Sequence, residues 1–172
     1  MISQDAIKPL AFGALLALCA IGFGFSLGGA FGIAEHSLKA HLEELANGAA
    51  EEVYAGDSEK KEAVVRKSWA YMKRAHLHGG AIGVAALSSI VLLMLLGNPG
   101  WIERLGSIAF GAGALLYSLF WLCAGLTAPS LGGTHEAKEA LKFLAVPGAG
   151  LCMIGLCATL YSLVRKGFIE KA

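Results

Sequence analysis

Charge is missing from more than half of this chain. Four long stretches, Pro9 to Ala34, Gly79 to Trp101, Leu105 to Ser130 and Phe143 to Val164, contain no Asp, Glu, Lys or Arg. Acids and bases inside a membrane mark proton relays and ion pathways. Their absence argues against a pump or an ion-coupled transporter. An excess of one sign is lacking too. The formal net charge is +1, so no basic surface is set aside for nucleic acid. Cysteine is confined to Cys19, Cys123, Cys152 and Cys157, all within the uncharged stretches. There a thiol acts as a small apolar group, and no exposed cysteine motif is offered to a metal. Hydrolase, phosphate-loop and dinucleotide fingerprints are also missing. No acid, base and nucleophile stand together, so catalytic activity of its own is not expected.

What the chain does have is hydrophobicity, 56% of its residues with a mean hydropathy of +0.62. A bilayer core takes about 20 apolar residues of helix, and each stretch meets or nearly meets that length. Only helices and closed barrels satisfy their backbone in lipid. Continuous rather than alternating apolar runs exclude barrel strands. The expectation is an all-α integral membrane protein, a single membrane domain with a bundle of four transmembrane helices. The spans fall at about 9–34, 79–98, 101–128 and 143–164. The first is longer than the roughly 15-residue apolar region of a signal peptide, so it is expected to remain as a helix.

The polar connections carry their own helical signals. Residues 35–78 form the only sizeable polar region. Leu38, Leu42 and Leu45 recur at helical spacing, so the first span continues into this region or bends there. Asn47-Gly48 is a stop, and Gly56-Asp57-Ser58 is a turn followed by an N-cap. From Ser58 to Leu96 only glycines interrupt a helix, with Gly79-Gly80 as the candidate break. Gly97-Asn98-Pro99-Gly100 makes a tight hairpin. Thr134 is a candidate N-cap of a short helix, and Pro147 starts or kinks the fourth span. The first and third connections are expected to form a helical extramembrane cap on one side. The other side holds both termini and Lys8, Arg104, Arg165, Lys166 and Lys171. The density of these cations at span ends favours cytoplasmic termini, in a membrane of the bacterial inner type.

All five histidines, His36, His41, His76, His78 and His135, lie in or beside the first and third connections. An even number of crossings separates those connections, so the histidines share one membrane face. Arg74-Ala75-His76-Leu77-His78 resembles the histidine-bearing helix starts of membrane haem proteins of the haem-copper oxidase type. That resemblance covers these residues alone. On a straight helix, neighbours two apart point about 200° from one another. His76 and His78 therefore serve different faces. His76 belongs to an apolar stripe with Val65, Trp69, Met72, Gly80 and Gly83, while His78 shares a face with Arg74 and Tyr71.

In the first span Gly24, Gly28 and Gly32 recur every four residues, with His36 next in the series. Small residues at this spacing let helices approach closely. They also leave room for a porphyrin beside an axial histidine. The leading expectation is a small membrane redox protein or subunit that exchanges electrons with a quinone or a partner. It would hold b-type haem, with His36, His76, His135, Gly32 and Gly80 as the cofactor-binding set. A copper or zinc ion on His36, His76, His78 and His135 is the variant, since both metals accept imidazole. Trp69, Tyr71, Tyr117 and Trp121 are candidates to border a quinone or haem, or to anchor span ends. The rival expectation is a cofactor-free structural or assembly subunit. In it, glycine ridges pack the chain into a homo-oligomer or a larger membrane complex, and the histidines tie down the polar connections.

Overall fold

The computed structural model describes residues 7–169; Lys171, one of the cations counted above, lies outside them. Four of its helices are long and apolar enough to cross a membrane, and the described residues contain no strand. A short 3-10 turn, Lys8–Leu10, leads into α1 (Ala11–Gly48). This helix runs through the end of the uncharged stretch and bends there, at Ala34, whose backbone is non-helical (φ −118°, ψ 20°). Continuation and bending thus occur together.

The five-residue α2 (Ala50–Tyr54) ends on a left-handed Ala55, and the chain turns through Gly56 at φ +79°. Asp57 then caps α3 (Ser58–Leu96), accepting the Lys60 N–H at 2.9 Å. The cap is therefore Asp57, within the Gly56-Asp57-Ser58 segment read as turn and cap. At 39 residues α3 is about 58 Å long. Gly79-Gly80 does not break it, because Gly79 is buried against α1.

The hairpin at Gly97 and Asn98, both with positive φ, leads to α4 (Trp101–Thr127). A looped segment precedes α5 (Thr134–Ala140), whose N-cap is Gly133 rather than Thr134. Thr134 makes no capping bond and is the first helical residue. In α6 (Lys142–Val164) Pro147 sits in the second turn, where it interrupts only one helical hydrogen bond. A five-residue π turn, Arg165–Ile169, follows.

The centre of the bundle is α4. Half of its most apolar stretch is buried, against 17% for α6, which leaves α6 as the peripheral helix. Small residues set the crossings. A Cβ on Gly24 of α1 would come within 2.6 Å of the Gly80 backbone nitrogen on α3, and one on Gly113 of α4 within 2.6 Å of the Cys152 nitrogen on α6. Without a hydrophobic drive between helices in lipid, such close backbone contact supplies the dispersion that holds them.

At the histidine end, Ala46, Tyr54, Val64, Ala128 and Ala137 form a separate apolar cluster that joins the polar connections. The Tyr54 hydroxyl donates to the Pro129 carbonyl at 2.7 Å in its centre.

Candidate functional site

The two histidines of the Arg74–Gly80 segment part company, as helix geometry requires. His76 turns to α1. Its Nδ1 donates to the Gly24 carbonyl at 2.7 Å. A carbonyl only accepts, so Nδ1 carries a proton; in the neutral imidazole that leaves the lone pair on Nε2. The imidazole lies against Gly28, where a Cβ would stand 2.6 Å from Cε1. Phe31 meets the ring edge-on at 6.4 Å. The α1 glycines thus make room for a histidine, and the histidine itself fills the room.

His78 turns to α4. It lies over Tyr117 at 5.3 Å and Trp121 at 5.9 Å between ring centroids. Phe120 stands 5.1 Å from Trp121, and Tyr71 meets it edge-on at 4.8 Å. The Arg74 guanidinium caps this group, 4.9 Å from the Trp121 ring and 5.1 Å from Tyr71. Three of the four aromatic residues picked from the sequence therefore gather around His78. The fourth, Trp69, packs elsewhere, 5.1 Å from Phe31 and 5.4 Å from the Lys39 ammonium.

The other histidines lie on the surface. His36 and His41 are exposed on α1 beyond the Ala34 bend, and His135 is exposed at the start of α5. His41 faces Glu44 at 3.7 Å. Among the described residues, no three His, Cys, Asp or Glu side chains come together as a metal-holding group.

His36 is also at a different level from His76. The His76 ring sits beside Gly28, and eight residues of helix separate Gly28 from His36, about 12 Å along the axis. One imidazole is committed to a carbonyl and a glycine notch, while the other is exposed past a bend. A haem clasped between this pair does not fit the arrangement. Gly32 and Gly80, expected to flank a porphyrin, both face open space, while Gly79 is packed against Ala20 and Gly24 of α1.

A groove of about 450 Å³ opens between the polar ends of α1 and α3. Glu43, Asn47, Lys61, Glu62, Val65 and Arg66 line it, and Lys61 donates to the Asn47 side chain at 2.7 Å. Its balanced charges select no class of ligand.

The opposite end carries a polar group that sequence reasoning passed over. Glu103, 1% exposed, sits on the third residue of α4 and accepts the Gly100 N–H at 2.9 Å. Its carboxylate lies 3.1 Å from the Lys166 ammonium and 3.7 Å from Arg165. Lys166 also donates to the Gly97 and Asn98 carbonyls at 2.8 Å each. One ammonium thus fastens the end of the last span to the turn between the second and third. Lys166 had registered only as an orientation signal. The clue was a lone acid, Glu103, at the N3 position of a helix after an Asn-Pro-Gly turn, on the same side as Lys166.

The architecture and its apolar surfaces define the class: a helical membrane protein with a four-span bundle. Comparison with known protein families, with curated proteins and with solved structures finds no match to this chain.

Proposed function

We propose that this protein is a cofactor-free structural or assembly subunit of a membrane complex. Its bundle holds a polar helical cap outside the bilayer at the histidine-bearing end. The observation that carries the reading is the His76–Gly24 hydrogen bond, made with the imidazole seated on Gly28. His76, the part-buried member of the candidate haem ligands, is thereby engaged in joining α1 to α3. The cap is built the same way, through the Tyr54–Pro129 bond and the apolar cluster around it. Large exposed apolar side chains on α1 and α6, such as Phe25, Ile33, Met153 and Ile154, suit lipid, a second copy or a larger complex.

A redox reading has one observation in its favour. With Nδ1 donating to Gly24, the neutral His76 imidazole has its lone pair on Nε2, the form in which imidazole ligates iron, copper or zinc. Under that reading His76 would be one ligand of a b-type haem or a metal ion, and the protein would exchange electrons with a quinone or partner.

Alanine variants separate the two. If the histidines are structural, His36→Ala leaves yield and thermal stability in detergent unchanged. His76→Ala lowers stability and removes no chromophore or metal. Loss of a bound haem or metal ion from either variant overturns the structural reading.

A further inference from the structure

A second observation stands apart from His76. Arg74 is exposed, and no carboxylate lies within ion-pair distance of it among the described residues. Yet its guanidinium is not loose, being held over Trp121 and Tyr71. Stacking on aromatic faces leaves the in-plane N–H donors of a guanidinium available. His78, one turn on along the same face, lies against Tyr117 and Trp121. Beneath them the Trp121 Nε1 is buried without a hydrogen-bond acceptor. A buried donor left unpaired is destabilising.

The depth of this cluster is informative. Arg74 is five residues from Gly79, where the uncharged stretch begins, which is about 7 Å along the helix. The headgroup layer on each side of a bilayer core is roughly 5–8 Å thick, so the guanidinium stands at the level of lipid phosphates. Leu77 and Phe143, at the same end of the bundle, are 60% and 68% exposed, an apolar surface on which acyl chains can lie. A fixed cation without a carboxylate, with further N–H donors beside it, is matched to an oxyanion rather than to a neutral carbonyl.

We infer that Arg74, His78 and Trp121 form a phosphate-recognition site at the bilayer boundary, filled by the headgroup of an anionic phospholipid. Arg74 binds a phosphate oxygen through its outward N–H groups. Tyr71 and Trp121 hold the guanidinium in place, and the imidazole N–H is the secondary donor. The site does not depend on the role of His76, so it stands whether or not a cofactor is bound elsewhere.

The test is thermal unfolding of the delipidated protein in dodecyl maltoside, with phosphatidylglycerol, phosphatidylcholine or inorganic phosphate added. Phosphatidylglycerol is expected to raise the midpoint well above either alternative. Arg74→Gln should lose more than half of that rise, and Trp121→Phe a smaller part. Arg66→Gln, a similar cation already facing Glu62 at 3.6 Å, should keep all of it. An equal rise with phosphatidylcholine overturns the inference in the wild-type protein alone, whatever the variants do. So does an undiminished rise in Arg74→Gln. A rise with inorganic phosphate equal to that with phosphatidylglycerol removes the lipid. A rise with a short-chain quinone and none with phosphatidylglycerol gives the cluster to a quinone.

Discussion

At position 24 a single methyl group has nowhere to go. Its carbon would lie 2.6 Å from a backbone nitrogen of α3 and 3.0 Å from the Gly79 carbonyl carbon, and neither is a flexible side chain. Gly24→Ala should therefore cost about 1–3 kcal/mol, as overpacking does, read as a lowered unfolding midpoint in detergent. Gly32→Ala, in the same helical series but facing open space, should not destabilise and can gain up to about 1 kcal/mol of helix propensity. The contrast was partly legible. The glycine series was plain, and so was its drift around the helix. Which of its members meet α3 depends on the angle at which two helices cross, and no local pattern records that. The same limit explains Gly79 and Gly80. Both are glycine and both backbones meet α1, but the stripe through His76 pointed to Gly80, whereas a side chain would strike α1 at Gly79 and meet open space at Gly80.

At the scale of the element, the two ends of the bundle are fastened by different chemistry. At the terminal end, Lys166 links Glu103 with the turn carbonyls of Gly97 and Asn98. Its side chain is only 9% exposed and that of Glu103 2%. Removing one partner of a buried pair strands the other, typically at about 3–5 kcal/mol. Lys166→Met should therefore destabilise strongly, and the double variant Glu103→Gln/Lys166→Met should recover part of the loss in the same unfolding assay. At the histidine end, Tyr54→Phe removes a buried hydroxyl bond, worth about 1 kcal/mol. Burial also pushes the Tyr54 phenol above its ordinary value. The folded state thus disfavours phenolate, and this contribution is intact below about pH 10 and falls as the pH rises past the unfolded value. The Tyr54→Phe variant should lose less stability than wild type between neutral and strongly alkaline pH. Neither fastening was visible from the sequence: Glu103 and Lys166 are 63 positions apart and meet only because α4 and α6 pack side by side, and Tyr54 and Pro129 are likewise distant in the chain. The spans, by contrast, could be read directly, since the length of an uncharged run is itself the physical requirement for crossing lipid.

At the scale of the whole molecule, the account turns on what the histidine-bearing end is for. The one-sided clustering follows from the four-span topology. Within it the histidines divide by direction: His76 inward to α1, His78 to the aromatic group of α4, and His36, His41 and His135 to the surface. The opposite faces of His76 and His78 were legible because they follow from 3.6 residues per turn. The level of His36 was not, because it depends on where α1 lies against α3. The claim at the centre is that His76 joins two helices and holds no cofactor. The most direct measurement is the absorption spectrum and metal content of wild-type protein purified without added haem. The account predicts a fully helical, colourless protein with far less than one iron, copper or zinc per chain. A Soret band, or a stoichiometric metal that disappears in His76→Ala, would contradict it.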